Sequence, residues 1–263
     1  MVGQSQKPVA MITGASAGIG DGIARKFAAK GYRIVALARR QDRLEKLAKE
    51  LSGITDVHAL AIDVTTKNAG DRSVEAAIQA FGRVDCLVNN AGFFRFGSVD
   101  QTDDAMLDEV IDISLKAPFR FCRSALRVMS AGSSIINIGS VWGLLAGMGG
   151  GSYCTVKAGL IGLTQSIAAD YGSKGIRANL VAPSVVKTDM TKDFWDTDGF
   201  QRTNQEMTPF NRDGTVEDVA NAVYFLASPE GSFINGQSIA LDGGWSTTKF
   251  LSMDALVAER VKA

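Results

Sequence analysis

Several residue types with specialised roles are scarce in this sequence. Its 263 residues include three cysteines, five prolines and one histidine, and 28 Lys and Arg residues balance 28 Asp and Glu residues. An even balance argues against nucleic acid as a partner, because binding to phosphates needs a surplus of Lys and Arg. The cysteines form no CxxC pair, and His58 is the only histidine. We therefore expect neither a disulfide framework nor a metal site.

Long apolar runs are missing as well. No uncharged apolar stretch reaches the roughly 18 residues that a membrane span requires, and the polar start of the chain lacks the apolar core of a signal peptide. Together with cysteines that we expect to be reduced, these absences predict a cytoplasmic protein without membrane contact. Glycine, by contrast, is abundant: 28 of 263 residues, about 11%, against a usual 7%. Part of the fold must need backbone without side chains.

Short apolar runs alternate with segments of helical periodicity along the chain. This alternation, with strands that are apolar throughout, is typical of a parallel sheet covered by helices on both faces. We predict a single α/β domain over residues 1–263, a doubly wound parallel sheet of the Rossmann type. The predicted strands are 9–13, 34–38, 57–63, 84–90, 135–140, 177–183 and 239–242, and the main helices are 18–30, 41–51, 69–81, 103–129, 152–171 and 215–226.

Three segments depart from this regular pattern. The helix over 103–129 contains Pro118, which predicts a kink nearby, because proline removes a backbone hydrogen bond. Residues 191–210 are rich in Asp, Thr and aromatic residues, and a connection of that length in a compact domain predicts a substrate lid. Residues 246–263 form a C-terminal tail, with a predicted helix over 252–262, that we expect to pack across a subunit boundary.

A glycine-rich turn follows the first predicted strand. Residues Thr13–Gly20 (TGASAGIG) lie between that strand and a helix. In this setting Gly14 permits a tight turn, Gly18 lets the backbone approach a pyrophosphate, and Gly20 allows close packing of helix on strand. Phosphates would rest on the helix N-terminus, where free N–H groups and the helix dipole favour anions. The pattern therefore predicts a dinucleotide site along this turn, with Ile19 as part of it.

A second group of residues has the chemistry of proton transfer. Tyr153 and Lys157 stand four residues apart on one face of a predicted helix, and Ser140 ends the strand before it. A phenol is a poor acid–base catalyst at neutral pH because its ordinary pKa is about 10. A nearby ammonium and a cationic nicotinamide favour the phenolate, and lowering the pKa by about three units corresponds to roughly 4 kcal/mol. Tyr153 can then give a proton to a carbonyl oxygen that Ser140 holds, while hydride reaches the carbonyl carbon.

These motifs occur in the order and spacing of one known family. The glycine turn, Asn89–Gly92 (NNAG), Ser140 and the YxxxK pair of Tyr153 and Lys157 together resemble the short-chain dehydrogenase/reductase family over most of the chain. The resemblance implies an oxidoreductase dependent on NAD(P), with Tyr153 as acid–base and with Lys157 binding the nicotinamide ribose and tuning the phenol. It also implies a set of cofactor contacts: Asp63, Val64, Asn90, Ala91, Gly92, Pro183, Val186 and Thr188.

The sequence departs from that family at one position important for catalysis. Ser114 stands where the family usually has an asparagine that fixes a helix kink and a water leading protons toward the lysine. A serine hydroxyl is shorter and donates one hydrogen bond rather than two. We include Ser114 among the catalytic residues and expect turnover with an altered proton relay. An ordinary capping or packing role for this serine is the alternative.

The choice between the two nicotinamide cofactors falls at the end of the second strand. Members that prefer NAD resemble one another in having an acidic residue where Ala38 stands, whereas here Arg39 and Arg40 follow. Guanidinium groups pair with phosphate in a bidentate fashion, and Ser16 can add a hydroxyl contact. We predict NADP(H) as the cofactor. Solvated arginines at the start of the next helix are the alternative interpretation.

Aromatic and apolar residues near the motifs predict a small carbonyl or alcohol substrate with an apolar or aromatic body. The glycine run 149–151 before Tyr153 is expected to give that substrate room. Sealing of the lid against the domain is the alternative role for these apolar residues. They are Phe93, Phe94 and Phe96 after the NNAG motif, Trp142, Leu144, Leu145 and Met148 after Ser140, and Phe194, Trp195, Phe200, Met207 and Phe210 in the lid.

The leading functional prediction is an NADP(H)-dependent oxidoreductase that reduces a ketone or aldehyde, or oxidises the matching secondary alcohol. A 3-oxoacyl-acyl-carrier-protein reductase is the main alternative, although zero net charge and a segment 129–133 without Lys or Arg offer little to an acidic carrier. A cofactor-sensing binding module with weak turnover is a third reading, supported by Ser114 alone. The family commonly forms dimers and tetramers, so the resemblance implies a homotetramer or homodimer.

Overall fold

Parallel strands form the sheet at the centre of the protein. The structure is a computed structural model that describes residues 7–193, 195–210 and 212–247. The strands are β1 (Val9–Thr13), β2 (Arg33–Ala38), β3 (Val57–Ala61), β4 (Cys86–Asn89), β5 (Ser134–Ile138), β6 (Arg177–Pro183) and β7 (Ser238–Leu241). Their order across the sheet is β3-β2-β1-β4-β5-β6-β7, and each neighbouring pair is parallel. The predicted doubly wound parallel sheet is confirmed.

Helices connect the strands and cover both faces of the sheet. They are α1 (Gly18–Ala29), α2 (Gln41–Leu51), α3 (Ala69–Phe81), α4 (Asp104–Ile111), α5 (Ala117–Ala125), α6 (Val141–Leu144), α7 (Gly151–Tyr171), α8 (Asp198–Gln201) and α9 (Val216–Ala227). On one face α1 and α9 bury Phe27 and Val223, and on the other α5 and α7 bury Phe121 and Ile167. Within the described ranges, no helix is long and apolar enough to cross a membrane.

The chain reverses its winding direction between β1 and β4. From β1 it moves outward to β2 and β3, and after α3 it returns to β4 on the other side of β1. Ala10 of β1 is therefore paired with Ile34 of β2 and also with Cys86 of β4. In a sheet of this kind the carboxyl ends of the strands leave a crevice at the reversal, where ligands bind. The glycine turn lies at this crevice because it follows β1 directly.

The long helix predicted over 103–129 is divided in the structure. Helices α4 and α5 are joined by one π-helical turn, residues 112–116, in which the Ala117 N–H bonds the Asp112 carbonyl five residues back. Pro118 has no N–H to offer the preceding turn, so an ordinary α-helical ladder cannot run through it. The predicted irregularity therefore lies just before Pro118, and α5 ends at Ala125 rather than at 129. The π turn buries the side chain of Ser114.

The segment predicted as a lid contains more helix than expected. Residues 191–210 include α8 and a second π-helical turn at 202–206, and Phe194 lies outside the described residues. The end of the segment is tied to the turn after β7, where the Phe210 N–H donates to the Gly243 carbonyl at 3.2 Å. Of the predicted tail 246–263, residues 248–263 lie outside the described part of the chain.

All three cysteines are free. Cys86 and Cys122 are buried, and Cys154 is partly buried. Burial raises the pKa of the Cys86 thiol well above its ordinary value, so this side chain is a neutral core residue at neutral pH. Among the residues that the structure describes, no group of three or more His, Cys, Asp or Glu side chains is placed to hold a metal ion.

Candidate active site

A cleft at the carboxyl edge of the sheet begins with the glycine turn. Gly14 and Gly18 have positive φ angles of 70° and 55°, in the region that favours glycine. A Cβ at Gly20 would lie 2.3 Å from the Gly14 carbonyl oxygen, so α1 packs directly on the turn. The start of α1 lines the cleft, and no described side chain caps it at Ala17. The backbone N–H groups of this helix end are thus suited to an anion.

The cleft has a volume of about 700 Å³ and runs from the start of α2, past the glycine turn, to the start of α7. Gly20 lies beneath the glycine turn rather than on the cleft. Ala38, which the sequence analysis discussed for cofactor choice, lines the cleft beside Arg39, and Ile62, which it did not mention, lines the cleft beside Asp63. The rule that ligands bind at the carboxyl ends of parallel strands points to both of them. The other predicted cofactor residues all line the cleft: Gly14, Ser16, Gly18, Ile19, Arg39, Arg40, Asp63, Val64, Asn90, Ala91, Gly92, Tyr153, Lys157, Pro183, Val186 and Thr188.

One end of the cleft carries most of its charge. The Arg40 guanidinium donates to the Ser16 hydroxyl, with Nη2 and Oγ 3.2 Å apart. Asp63 accepts from the backbone N–H and the hydroxyl of Thr65 at 2.9 and 2.7 Å. These hydrogen bonds, helped by the charge of Arg39, hold the pKa of the Asp63 carboxyl below its ordinary value. This end therefore presents two guanidinium groups, a hydroxyl and an ionised carboxylate.

Asn90 fixes the glycine turn against the end of β4. Its backbone N–H donates to the Thr13 hydroxyl at 2.9 Å, and its Nδ2 donates to the Thr13 carbonyl at 3.0 Å. The Ala91 N–H donates to the same hydroxyl at 3.0 Å. A Cβ at Gly14 would lie 2.8 Å from the Asn90 Nδ2. Hydrogen bonds therefore join the glycine turn to the NNAG motif, although Thr13 and Asn90 are 77 positions apart in the sequence.

Ser140, Tyr153 and Lys157 meet at the other end of the cleft. Ser140 caps the short helix α6, where its Oγ accepts from the Trp142 N–H at 3.2 Å. The hydroxyl proton of Ser140 is directed to Tyr153, whose pKa this hydrogen bond lowers. Lys157 is 6% exposed, and its Nζ donates to the Ile138 carbonyl at 2.8 Å. The same Nζ lies 5.5 Å from the centre of the Tyr153 ring.

Burial controls the protonation of the phenol and the ammonium. It raises the pKa of Tyr153 above its ordinary value, and the hydrogen bond with Ser140 offsets only part of that effect. Burial also lowers the pKa of Lys157 to about 8. Both groups are protonated at neutral pH. For Tyr153 burial outweighs the hydrogen bond with Ser140, whereas the lowered pKa expected from the sequence refers to a phenol beside a bound cationic nicotinamide. A protonated phenol is an acid and can deliver a proton.

Aromatic rings surround Tyr153. The ring centre of Phe94 lies 5.2 Å from that of Tyr153 and 5.5 Å from that of Trp142, edge to face in both pairs. Phe94 and Trp142 thus form an aromatic wall beside Tyr153. Glycines make space for this wall, since a Cβ at Gly147 or Gly150 would lie 2.2 or 2.8 Å from the Trp142 ring. The glycine run was expected to give room to a substrate. Instead, the structure fills the space around Gly150 with the aromatic wall.

The remaining apolar residues predicted for the substrate pocket fall into two groups. Phe93 and Phe200 line the cleft, and the buried Trp195 packs against Phe200 with ring centres 5.5 Å apart. A sealing role therefore fits Trp195. The other predicted apolar residues are exposed and lie off the cleft: Phe96, Leu144, Leu145, Met148, Met207 and Phe210.

Two residues that the sequence analysis did not single out also line the cleft. They are Glu109 of α4 and Ile113 of the π-helical turn.

Ser114 lies behind the cleft rather than on it. Its side chain is 1% exposed, and its Oγ has no hydrogen-bond partner among the described residues. A Cβ at Gly92 would lie 3.6 Å from the Ser114 Oγ and 3.8 Å from the Lys157 Nζ, so both atoms lie close to Gly92. Buried hydroxyl oxygens without a protein partner usually meet an ordered water.

Comparisons with known proteins agree with this geometry. The profile of the family described as Enoyl-(Acyl carrier protein) reductase matches residues 14–246. The 3-oxoacyl-[acyl-carrier-protein] reductase of Escherichia coli is 35% identical over 239 residues, which cover 90% of this chain and 96% of that protein. The trans-4-hydroxycyclohexanecarboxylate dehydrogenase of Sinomonas cyclohexanicum is 37% identical over 255 residues, which cover 94% of this chain and 96% of that protein.

Two similar solved structures contain a bound nicotinamide cofactor. A blue fluorescent protein from a metagenomic library, in complex with NADPH, has a TM-score of 0.86 and 34% identity, and the match covers 91% of this chain and 98% of that one. A short-chain dehydrogenase from Burkholderia cenocepacia, in complex with NADP, has a TM-score of 0.87 and 31% identity, with 92% and 99% covered. With its motifs gathered at one cleft, the chain belongs to the short-chain dehydrogenase/reductase family of oxidoreductases.

Proposed function

We propose that the protein is an NADP(H)-dependent reductase of ketones or aldehydes that also oxidises the matching secondary alcohols. The observation that carries this proposal is one cleft with two chemically different ends. One end has the uncapped start of α1 and two guanidinium groups, which suit phosphates. The other end has a hydroxyl, a phenol and a buried ammonium beside an aromatic wall, which suit a carbonyl group on an apolar or aromatic body.

The residues at the phosphate end fit NADP(H) better than NAD(H). Ala38 ends β2 without a carboxylate that could accept from ribose hydroxyls, and Arg39 and Arg40 follow it on the cleft. A 2′-phosphate can pair with these guanidinium groups and with the Ser16 hydroxyl that Arg40 already contacts. The NADPH and NADP in the two similar structures support the same choice. When bound, this cofactor supplies or accepts the hydride.

Three side chains divide the proton chemistry. Tyr153 donates its hydroxyl proton to the carbonyl oxygen of the substrate, because burial keeps the phenol protonated at neutral pH. Ser140 donates a hydrogen bond to that same oxygen, since its Oγ already accepts from a backbone N–H. Lys157, charged below a pH of about 8, stabilises the phenolate left on Tyr153 and binds the nicotinamide ribose.

Ser114 belongs to proton supply in this proposal. Its unpartnered Oγ and the Lys157 Nζ both lie near Gly92, so one water can accept from the ammonium and bond the hydroxyl. Ser114→Ala should lower kcat several-fold and leave the KM for the ketone nearly unchanged, and Ser114→Asn should keep turnover. An unchanged kcat in Ser114→Ala assigns this serine to packing alone.

A substrate screen tests the proposed reaction. NADPH oxidation is followed with cyclic ketones, aromatic ketones and aldehydes, and NADP⁺ reduction with the matching secondary alcohols. Tyr153→Phe is the matched control, because it removes only the reactive hydroxyl. We expect turnover of apolar or aromatic carbonyl compounds by the wild type alone. NADPH binding without turnover across the whole panel, unrelieved by Ser114→Asn, contradicts the reductase and favours a cofactor-sensing module.

A 3-oxoacyl-acyl-carrier-protein reductase is the second candidate. The similarity to the Escherichia coli reductase of that name favours it. The mouth of the cleft counts against it, because Arg95 of the cleft is paired with Glu109 at 3.4 Å, and the exposed Phe96, whose ring centre lies 6.3 Å from that of the cleft residue Phe94, is apolar. An acidic carrier needs basic surface at that place. The test compares kcat/KM for an acetoacetyl-carrier substrate with kcat/KM for each free ketone. A value tenfold or more above that of every free ketone would support the 3-oxoacyl-acyl-carrier-protein reductase.

Cofactor choice has its own test. Arg40→Gln should weaken NADPH binding about 10- to 100-fold, the range for a hydrogen bond to a charged group, and leave NADH binding unchanged. Arg72→Gln, an exposed arginine on α3, is the control for a general loss of positive charge. Dissociation constants come from cofactor fluorescence. A wild type that binds NADH more tightly than NADPH overturns the assignment.

We also propose that the protein is a cytoplasmic homotetramer or homodimer. Ala158 is exposed on α7, and a Cβ at Gly162 of the same helix would meet no atom of the described residues within 4 Å, which leaves a face that a second helix can approach closely. Light scattering of the purified protein measures the assembly, and a monomer at micromolar concentration contradicts it.

A further inference from the structure

An ion pair closes one side of the cleft, away from the proton-transfer residues. Arg43 lies in the first turn of α2, and Asp189 lies in the segment after β6, 146 positions further along the chain. The Arg43 Nη1 and the Asp189 Oδ2 are 3.0 Å apart. Strands β2 and β6 are separated in the sheet by β1, β4 and β5. The ion pair therefore joins the two opposite sides of the crevice.

The segment that carries Asp189 is held in a defined turn. The Thr191 hydroxyl accepts from the Thr188 N–H at 3.0 Å and donates to the Val186 carbonyl at 3.0 Å. The Thr191 N–H donates to the Thr188 carbonyl at 3.1 Å. These bonds fix the backbone on both sides of Asp189. The carboxylate is thus presented to α2 by an ordered turn.

A second contact crosses the crevice next to the ion pair. A Cβ at Gly18 would lie 3.2 Å from the Thr188 Cγ2, so the methyl group of Thr188 rests against the glycine turn. Thr188 and Asp189 line the same cleft as Arg39 and Arg40. A ligand that occupies both ends of this cleft must therefore extend past the Arg43–Asp189 ion pair and the contact of Thr188 with Gly18.

The charges around Asp189 suit a closed contact. Arg43, Lys192 and Arg40 all lie near its carboxylate and hold the pKa of Asp189 below its ordinary value, with the Arg43 hydrogen bond as the largest cause. The carboxylate is therefore ionised throughout the neutral range. Arg43 and Asp189 both remain partly exposed, with 43% and 63% of their side-chain surfaces accessible, so salt can screen the pair.

We propose that the Arg43–Asp189 pair is a clasp that retains the bound dinucleotide, so that cofactor release requires the pair to open. The inference rests on the proposed function, because it takes the cleft to be the NADP(H) site. Exposed ion pairs contribute modestly, so loss of the clasp should speed cofactor dissociation by about two- to fivefold. Added salt should speed dissociation from the wild type and have less effect on proteins without the pair.

The test is a double-mutant cycle on the dissociation rate. NADPH is displaced from the wild type, Arg43→Gln, Asp189→Asn and the double variant by excess NADP⁺ in a stopped-flow fluorimeter, and the series is repeated with NADH and NAD⁺. Lys46→Gln on α2 and Asp193→Asn after the turn are matched controls that should keep the wild-type rate. Each single variant should release both cofactors faster by the same factor. The double variant should be no faster than the faster single variant.

Several outcomes overturn the clasp. A slower rate in Asp189→Asn means that the carboxylate only repels phosphate, and an unchanged rate means that it does not retain the cofactor. An effect of Arg43→Gln on NADPH alone makes Arg43 a phosphate ligand. Fully multiplicative effects in the double variant mean that the two side chains act independently. A wild type that binds neither NADPH nor NADH overturns the proposed function together with the clasp, whereas normal wild-type binding with unaltered variant rates overturns the clasp alone.

Discussion

Replacing Lys157 by methionine should change how the stability of the protein depends on pH, because this ammonium is buried. The side chain is 6% exposed, and its Nζ donates to the Ile138 carbonyl at 2.8 Å. Burial lowers the pKa of Lys157 from 10.5 to about 8. Folding below that pH therefore moves a charged group out of water, and this desolvation lowers the free energy of unfolding.

The size and sign of the effect follow from linkage. Between the folded pKa of about 8 and the unfolded value of 10.5, the unfolded chain binds a proton that the folded chain lacks, so stability rises with pH. The penalty is fully present below pH 8 and disappears above 10.5. From about pH 7 to about pH 10, the titration of Lys157 should add about 2.5 kcal/mol to the free energy of unfolding. A methionine at this position cannot titrate and lacks that gain.

The measurement is best made in a Tyr153→Phe background, so that titration of the neighbouring phenol does not enter. Denaturant unfolding of Tyr153→Phe and of Tyr153→Phe/Lys157→Met is followed by circular dichroism at several pH values between 7 and about 10. The buried Cys86 and Cys122 thiols are common to both proteins and cancel in the difference. The difference should move in favour of the lysine protein by about 2.5 kcal/mol as the pH rises. A difference that stays constant with pH refutes the reasoning.

Three further substitutions have defined outcomes. Tyr153→Phe should lower kcat at least about 100-fold, with the NADPH dissociation constant within threefold of wild type by fluorescence titration, because it removes only the proton donor. Gly147→Ala should raise the KM for aromatic ketones several-fold without weakening NADPH, because a Cβ there would lie 2.2 Å from the Trp142 ring; an unchanged KM separates the wall from the substrate. Gly20→Ala should cost about 3 kcal/mol or more in denaturant unfolding, because its Cβ would lie 2.3 Å from a backbone oxygen. Gly53→Ala should cost little, because its Cβ would meet no described atom within 4 Å.

Much of the fold could be predicted because its signals are local. Each predicted strand is an apolar run, and each has a counterpart in the sheet. The ends were less accurate, since pairing partners set them. Strand β3 was predicted to reach residue 63 and ends at Ala61, where its register against Ala38 of β2 ends. Strand β4 was predicted to reach residue 90, but Asn90 leaves the sheet direction and bonds Thr13 instead.

The site shows the same difference: features that depend on neighbouring residues could be predicted, and features that depend on distant contacts could not. The glycine turn and the Tyr153–Lys157 spacing could be predicted because each depends on neighbours within one helical turn or one loop. The Arg43–Asp189 pair could not, since 146 positions separate its members and neither lies in a motif. The protonation of Tyr153 could not either, because it depends on burial by residues that are distant in the sequence, such as Phe94. The sequence carries no direct measure of that burial.

The π-helical turn at 112–116 lets one stretch of helix serve two different neighbours. An α-helix rotates by about 100° per residue, so one additional residue in a turn rotates everything after it by about that angle. Before the turn, Glu109 faces the cleft; after it, Phe121 and Ala125 are buried in the core. Deleting a single residue from the turn would regularise the helix and swing Phe121 away from the core. The irregular turn is therefore what allows Glu109 to face the cleft while Phe121 packs in the core.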